Sequence, residues 1–268
     1  MSLKIFNSIK SFNATKPTIV TIGTFDGVHL GHKKIVAQIT KNADALNCES
    51  LVLTFFPHPR MVLQESTEMK QLNTLNEKIA LLDNLGIDNL VVHPFDKEFS
   101  RLTAEEFVKK VLVDVFKIKK IIIGHDHRFG RNRTATIDDL INFGEAYGFE
   151  VEQISAEEIN EVSISSTKIR NALLEGNIEL AANYLGYDYS LSGIIFKGKQ
   201  LGRTIGYPTA NITIEEDYKL IPNNGVYIAK SVLNGKTVFG MMNIGTRPTV
   251  DGTKQTIEIN FFDFKQDL

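Results

Sequence analysis

The sequence predicts an α/β domain built on a parallel sheet, followed by a smaller all-β domain. In the first part of the chain, apolar runs typical of buried strands alternate with helical patterns, which is the order of a Rossmann-like, doubly wound sheet. Beyond Leu185-Gly186 no helical pattern recurs. Short strand candidates there are separated by Gly, Pro and Asn, as in a small barrel or sandwich. We therefore place the α/β domain at residues 1–186 and the β domain at residues 187–268.

The strands of the α/β domain are predicted from continuous apolar runs. Such runs fit a parallel sheet that is buried on both faces, because helices cover both sides of it. Four runs have this character: Ile19–Ile22, Leu51–Phe55, Leu90–Val92 and Ile121–Ile123. A fifth strand is expected at Phe149–Ile154.

The helices between these strands are predicted from their capping signals. Thr74-Leu-Asn-Glu77 is a capping box ahead of an apolar stretch that Gly86 closes. Thr103-Ala-Glu-Glu106 repeats the box before a second apolar stretch. A helix near Gly31 and another at Ile137–Tyr147 complete the alternation of strands and helices.

The β domain is predicted from short strands with turn residues between them. Asn234-Gly235 is a strong signal for a two-residue hairpin. The strand candidates are Gly193–Phe196, Ala210–Ile214, Val226–Leu233, Lys236–Asn243 and Thr256–Phe262.

The composition bounds the class of function. The chain has 268 residues, of which 43% are hydrophobic and 23% charged, as is ordinary for a globular protein with a substantial core. A net charge of −2 supplies no basic field that would attract nucleic acid. The single cysteine, Cys48, fits a reducing cytoplasm, and no apolar run approaches the length of a membrane span. We therefore expect a cytoplasmic protein with small-molecule partners, no nucleic acid and no membrane.

The stretch Gly23-Thr-Phe-Asp-Gly-Val-His-Leu-Gly-His32 joins the first predicted strand to a helix. Such a junction offers unpaired backbone N–H groups and the positive end of the helix dipole, which together suit an anion. Its three glycines allow close approach of a ligand, and His29 and His32 share one face of the first helical turn. Two imidazoles in that place suit a triphosphate that gains charge in a transition state. An ordinary capped turn with two surface histidines is the alternative.

Three further loops at the carboxyl ends of predicted strands carry candidate residues. His58 stands between two prolines that stiffen its loop, for which a simple rigid turn is the alternative. Arg128 lies in the segment 124–130, between glycines, where arginine can hold phosphate. The segment 164–170 opens a helix with Ser and Thr, which can either cap the helix or meet phosphate oxygens.

The β domain carries the stretch Gly202-Arg-Thr-Ile-Gly-Tyr-Pro-Thr-Ala-Asn211. Thr209 and Asn211 point to the same side of a strand, where a hydroxyl and an amide oxygen can help to hold Mg²⁺ and phosphate. Glu258 lies within a later β run, and a solvent-facing strand residue is the simplest interpretation of it. From composition alone, both features are ordinary parts of a β domain.

Taken together, these motifs resemble those of a known family. Gly23–His32 resembles the signature of nucleotidylyltransferases, specifically that of bacterial bifunctional riboflavin kinase/FMN adenylyltransferases, or FAD synthetases. Ser165-Ser-Thr-Lys-Ile-Arg170 resembles the second signature of that family. In the β domain, Gly202–Asn211 resembles the riboflavin kinase signature, and Pro222–Tyr227 and the loop Asn243–Thr249 extend the match.

The resemblance implies an enzyme of FAD biosynthesis that uses ATP twice. The β domain would phosphorylate riboflavin with MgATP to give FMN, and the α/β domain would adenylylate FMN to give FAD and pyrophosphate. In the α/β domain the implied site consists of catalytic His29 and His32, of ATP- and phosphate-binding Gly23, Phe25, Asp26, Gly31, Ser166, Thr167 and Arg170, and of His58, Asp126 and Arg128 near FMN. In the β domain it consists of Glu258 as general base, of ATP-binding Gly202, Arg203, Pro208, Thr209 and Asn211, the last two also holding Mg²⁺, and of Asn243 and Arg247 at riboflavin.

The chain departs from the family pattern in three places. His127 stands where the family has Phe, and Asn260 stands where it has His. Family members continue into a further strand and a C-terminal helix, whereas this sequence ends at Leu268. The resemblance therefore implies a riboflavin kinase domain without its C-terminal helix.

Two other functions are compatible with the same residues. One is a nucleotidylyltransferase for another acceptor, with the β domain serving only to bind. The other is a flavin or nucleotide sensor without catalysis, or an RNA binder, although the near-neutral charge argues against RNA.

Overall fold

The computed structural model describes residues 2–63, 69–124, 128–155, 164–197, 208–249 and 252–264. The chain divides into two compact units by its internal contacts. One unit contains Met1–Ser166 with Tyr184–Gly186, and the other contains Thr167–Asn183 with Tyr187–Leu268. The domain limits at residue 186 stay a prediction, because the segment 167–183 groups with the C-terminal unit.

The N-terminal unit contains a six-stranded parallel sheet. Its strands are β1 (Lys4–Phe6), β2 (Thr18–Ile22), β3 (Glu49–Phe55), β4 (Asn89–His93), β5 (Ile118–Gly124) and β6 (Glu150–Ile154). They lie in the order β1-β4-β3-β2-β5-β6, and every pair is parallel. The chain moves outward from β2 through β3 to β4 and then returns to the other side of β2. The strand order therefore reverses beside β2, which is where such sheets bind ligands.

The apolar runs form strands because both faces of the sheet are covered. On β2 and β3, Val20 and Leu51 belong to one buried cluster, whereas Ile19 and Val52 belong to the cluster on the opposite face. Neighbouring residues of a strand point to opposite faces, so a strand covered on both sides must be apolar throughout. The sequence missed β1, because this strand of three residues at the sheet edge has no apolar run.

The helices of this unit follow the predicted caps. They are α1 (Leu30–Leu46), α2 (Pro59–Leu63), α3 (Leu75–Asp83), α4 (Ala104–Phe107) and α5 (Ile137–Tyr147), and a π-helical segment, Val108–Val113, continues α4. Both predicted capping boxes are formed, by Thr74 with Glu77 and by Thr103 with Glu106. The three-residue 3₁₀ segments are Ile9–Ser11, Phe99–Arg101 and Arg131–Arg133.

The C-terminal part of the chain begins with two helices and continues as an antiparallel sheet. The helices are α6 (Ser166–Leu174) and α7 (Ile178–Leu185), and the strands are β7 (Ile194–Phe196), β8 (Ala210–Thr213), β9 (Gly225–Leu233), β10 (Lys236–Thr249) and β11 (Gly252–Phe261). The strand order is β7-β8-β11-β10-β9, with every pair antiparallel. The predicted separate β domain is thus confirmed, and in the described residues no helix follows Leu185.

The hairpin between β9 and β10 has the predicted turn. Asn234 and Gly235 have φ values of 51° and 75°, the left-handed pair that a tight two-residue hairpin requires. The segment Asn243–Thr249 was expected to be a loop, and this expectation was wrong. Its backbone continues β10, because all of these residues pair with β11.

No helix in the described ranges combines the length and the apolar character that crossing a membrane requires.

Candidate active sites

The turn after β2 is strained and closely packed. Phe25 and Val28 have φ values of 48° and 36°, in the left-handed region that a β-branched residue such as Val rarely occupies. Gly27 has a φ of 85°, and a Cβ at this position would lie 2.6 Å from Cδ1 of Leu72. Each strained non-glycine residue costs about 1–3 kcal/mol, so surrounding contacts must hold the turn in place.

Paired imidazoles stand where the turn becomes α1. His29 is the N-cap of the helix, and its Nδ1 accepts a hydrogen bond from the backbone N–H of His32 at 3.4 Å. The two rings are stacked, with centroids 3.7 Å apart and an angle of 18° between the planes. The ring of Phe25 lies 4.9 Å from that of His32. The expected pair is therefore formed, and His29, with only 3% of its surface exposed, is not a surface histidine.

Both histidines are neutral at pH 7 in the ligand-free protein. Burial lowers the pKa of His29 to about 4, although the Asp26 carboxylate opposes the shift. Burial also lowers the pKa of His32 well below its usual value, and His29 and Lys78 lower it further. Nδ1 of His32 is buried and has no hydrogen-bond partner among the residues that the structure describes. An anion bound here would favour the protonated imidazoles and raise both pKa values.

We expect acidification to weaken the fold through His29. An unfolded histidine takes up its proton near pH 6.5, whereas His29 does so only near pH 4, so the unfolded state binds more protons between these values. The contribution of His29 to the stability of the fold is then fully present above about pH 6.5 and is lost as the pH falls toward 4. From pH 7 to pH 5 the loss due to His29 alone is about 2 kcal/mol of unfolding free energy. Urea unfolding at the two pH values measures it.

A His29→Asn variant provides the control for this pH effect. Asn is as good an N-cap as any residue and does not titrate, so the helix keeps its cap while the proton site is removed. The loss of stability between pH 7 and pH 5 should be smaller in the variant by about the contribution of His29. An equal loss in both proteins would assign the effect to other groups.

Asp26 organises the turn. Its side chain is buried, and Oδ1 accepts a hydrogen bond from the backbone N–H of Leu72 at 2.9 Å. Its carbonyl oxygen accepts one from Oγ of Ser166, also at 2.9 Å. The sequence left open whether Asp26 orders the turn or contacts the nucleotide, and these contacts support the ordering role. The Ser166 hydroxyl, expected at phosphate oxygens, is bound to the same turn.

Lys78 and Thr54 also hold this turn, and the sequence analysis missed both. Nζ of Lys78 donates to the carbonyl oxygen of Thr24 at 2.8 Å, and Oγ1 of Thr54 donates to the same oxygen at 3.1 Å. Only 1% of the Lys78 surface is exposed. Helical spacing would have predicted that Lys78 is buried. It lies four residues before buried Leu82 and is therefore on the same face of α3, which packs against the core.

The remaining candidates of this site come from other segments of the chain. His58 is buried between β3 and α2, and its Nδ1 accepts a hydrogen bond from the backbone N–H of Arg60 at 3.2 Å, as in a local cap. Arg128 is exposed beyond β5. Asp126 and His127 lie outside the described residues. Thr167 and Arg170 lie on α6, and their contribution to this site stays a prediction.

In the β domain, three candidate residues form one row across the sheet. Glu258 on β11 pairs with Asn211 on β8 and, on its other side, with Asn243 on β10. Residues paired across antiparallel strands place their side chains on the same face. A carboxylate therefore lies between two amides, and Glu258 is partly buried instead of lying in open solvent.

The same face carries Asn260, two residues after Glu258. Its Nδ2 donates to the carbonyl oxygen of Pro208 at 2.7 Å. Pro208 and Thr209 are exposed and lead directly into β8. The residue that departs from the family pattern thus fixes the chain beside Thr209 and Asn211, the expected metal ligands.

For the other predicted residues of this site the structure gives a backbone position or no description. The backbone of Arg247 lies on β10 and pairs with Lys254. Gly202 and Arg203 lie outside the described residues.

The structure combines a parallel α/β sheet that has paired histidines after β2 with a β domain that has a carboxylate between two amides. These are the features expected of a two-domain nucleotide-dependent transferase. Comparison with known families shows which kind of transferase it is. Residues 11–168 match the FAD synthetase family, and residues 185–268 match the riboflavin kinase family. The chain belongs to the family of bifunctional riboflavin kinase/FMN adenylyltransferases.

Curated relatives carry the same pair of activities in their names. The bifunctional riboflavin kinase/FMN adenylyltransferase of Buchnera aphidicola subsp. Schizaphis graminum is 39% identical over 266 residues, which cover 98% of this chain and 84% of that protein. The enzyme of the same name from Escherichia coli K12 is 36% identical, over 93% of this chain and 80% of that protein. The similarity therefore spans both domains.

A solved structure has a similar fold. A Streptococcus pneumoniae protein described as a macrolide-efflux protein superposes with a TM-score of 0.90 and 30% sequence identity. The match covers all of this chain and 86% of that one. Efflux is part of the description of that protein only.

Proposed function

We propose that this chain makes FAD in two ATP-dependent steps, each carried out by its own domain. The observation that carries the proposal is that each of the two matched regions contains a group of residues that suits the corresponding reaction. Residues 11–168 include the stacked histidines at the α1 N-terminus, and residues 185–268 include the row of Asn211, Glu258 and Asn243.

In the adenylyltransferase step, a phosphate oxygen of FMN attacks the α-phosphorus of ATP, and pyrophosphate leaves. The attacking phosphate is already ionised, so the site has to position the reactants and stabilise charge more than it has to remove a proton. His29 and His32 donate hydrogen bonds to the triphosphate, and backbone N–H groups at the start of α1 assist them. His58, Asp126 and Arg128 are assigned to FMN, and Arg170 to the triphosphate.

In the kinase step, the 5′-hydroxyl of riboflavin attacks the γ-phosphorus of ATP, and ADP leaves. Glu258 accepts the hydroxyl proton as general base, while Asn243 and Arg247 hold riboflavin. Gly202, Arg203 and Pro208 are assigned to ATP. Thr209 and Asn211 offer the oxygen ligands that Mg²⁺ prefers, and Mg²⁺ supplies charge neutralisation at the phosphates.

The partners that we propose are ATP, riboflavin and FMN, and the compartment is the cytoplasm. One cysteine in 268 residues fits a reducing compartment. The net charge of −2 favours small-molecule substrates over nucleic acid.

We expect labelled ATP to distinguish the two steps. The protein is incubated with riboflavin, Mg²⁺ and ATP that carries radioactive phosphorus at either the α or the γ position, and the flavins are separated by chromatography. Label from the γ position should enter both FMN and FAD, whereas label from the α position should enter FAD alone. Excess EDTA should abolish both transfers, because the charged phosphates need Mg²⁺.

A parallel incubation with FMN tests the second step by itself. FAD formed from FMN but not from riboflavin would limit the function to adenylyl transfer. Flavin that binds but stays unlabelled in both incubations would contradict the proposal and favour a sensor.

A further inference from the structure

Lys78 is a buried cation directly behind the turn that joins β2 to α1. Its side chain is 1% exposed, and Nζ donates to the carbonyl oxygen of Thr24 at 2.8 Å. Lys78 lies on α3, and the other buried residue of this helix is the apolar Leu82. A lysine in such a place needs an explanation, because burial of an ammonium group is unfavourable unless other groups compensate it.

We propose that Lys78 is a positioning residue for adenylyl transfer, which holds the strained turn through Thr24 and adds a fixed positive charge behind the triphosphate site. The proposal rests on the proposed adenylyltransferase function and deepens it by naming a residue outside both sequence signatures. Lys78 acts on the turn through its bond to the Thr24 carbonyl oxygen, whereas the histidines are the groups proposed to bind the triphosphate directly.

The first part of the argument is mechanical. Phe25 and Val28 have left-handed φ values, so the turn keeps its shape only if its neighbours hold it. Among the contacts of the described residues, the Thr24 carbonyl oxygen is bound by Lys78 and Thr54, and the Asp26 carbonyl oxygen is bound by Ser166. A shift of the turn would move the start of α1 and its backbone N–H groups away from the phosphates.

The second part is electrostatic. Burial lowers the pKa of Lys78, and the Asp26 carboxylate opposes this shift, so the two charges interact. Lys78 also contributes, after burial and His29, to lowering the pKa of His32. A charge that opposes protonation of His32 favours an anion at the same place, and it does so without rearrangement when the ligand arrives.

Thr54 provides a matched comparison, because it binds the same carbonyl oxygen without carrying a charge. Lys78→Met keeps the length of the side chain and removes the charge, while Thr54→Val keeps the shape and removes only a neutral hydrogen bond. We expect Lys78→Met to lower kcat for FAD formation from FMN by about 10- to 100-fold. Thr54→Val should lower it by about threefold or less.

The titration of His32 is a readout that is independent of turnover. It is monitored by NMR of the ring protons as the pH is changed. Removal of the Lys78 charge should raise the pKa of His32, because one of the causes that lower it is lost. Thr54→Val should leave that pKa unchanged, and Lys78→Arg, which keeps the charge, should keep it low and recover part of the kcat. Comparison with a His32→Asn variant assigns the His32 signal.

The outcomes separate this inference from the proposed function. A Lys78→Met protein with the kcat of the wild type, or an unchanged His32 titration, would overturn the role of Lys78. Equal losses of kcat in Lys78→Met and Thr54→Val, in proportion to their losses of thermal stability, would leave Lys78 with a structural role only. If Lys78→Met does not fold, the Lys78→Arg variant decides the question. A raised His32 pKa in that variant, which keeps the charge, would overturn the role of Lys78. A wild-type protein that makes no FAD would instead contradict the adenylyltransferase function.

Discussion

A His29→Asn variant is expected to lose at least about 100-fold in kcat for FAD formation from FMN, while FMN formation from riboflavin continues at the wild-type rate. In the proposed mechanism the imidazole donates to charge that develops on the triphosphate, and loss of one such donor costs about 100- to 1,000-fold. The kinase candidates Glu258, Asn211 and Asn243 lie in the other family match, so the kinase step does not depend on His29. Separate assays with FMN and with riboflavin as the acceptor measure the two rates.

The choice of Asn isolates the chemistry from the helix cap. His29 also caps α1 by accepting the backbone N–H of His32, and Asn retains such an acceptor whereas Ala does not. His29→Ala should therefore lose FAD formation to the same extent and should in addition lose about 0.5–2 kcal/mol of stability. A His29→Asn protein that still makes FAD at the wild-type rate would show that the imidazole has no part in the transfer. Equal loss of both activities in a folded variant would show that the two steps are not independent.

Much of this site is predictable because its signals are local. The apolar run of β2 is followed by glycines and by two histidines three residues apart, and each of these signals can be interpreted from a few neighbouring residues. The spacing of His29 and His32 predicted that their side chains share one face of the first helical turn, and in the structure the two rings are stacked. Local signals also predicted the capping boxes of α3 and α4 and the hairpin at Asn234-Gly235.

Contacts between segments distant in the sequence are what the sequence did not reveal. The bond from Lys78 to the Thr24 carbonyl joins residues 54 positions apart, and the left-handed φ of Val28 depends on packing that no local preference favours. Helical spacing would have placed Lys78 in the core, yet the partner of its ammonium follows only from the tertiary structure. The role of Asp26 was left open for the same reason, since Leu72 and Ser166 bind it from far along the chain.

The β domain shows the same limit in the pairing of its strands. The sequence predicted the strands around Asn211, Asn243 and Glu258, but the register that aligns them in one row depends on side-chain packing across three strands. A shift of one residue on β11 would have turned Glu258 to the other face. The row therefore adds information that the family resemblance alone does not contain.

We expect a Glu258→Gln variant to lose riboflavin phosphorylation and to keep FAD formation from FMN. Gln has nearly the shape of Glu and keeps one acceptor oxygen, but its amide cannot accept the hydroxyl proton, so the change tests the general base more than the packing of the row. Loss of a general base costs about 100- to 10,000-fold in rate. Because the transition state of phosphoryl transfer is loose and needs little early proton removal, the lower end of that range is expected. FMN formation from riboflavin and MgATP, followed by chromatography, measures the loss.

Glu215→Gln is the matched control for this prediction. Glu215 lies just beyond β8, is exposed and has no assigned role, and its replacement changes the net charge by the same amount. The control should phosphorylate riboflavin at the wild-type rate, so a difference between the two variants reports on position and not on charge. A Glu258→Gln protein that is as active as the control would exclude Glu258 as the base, and the row would then serve only to bind riboflavin. A variant that binds riboflavin normally but forms no FMN would instead place Glu258 at the reacting hydroxyl, because binding and proton transfer would have been separated in one residue.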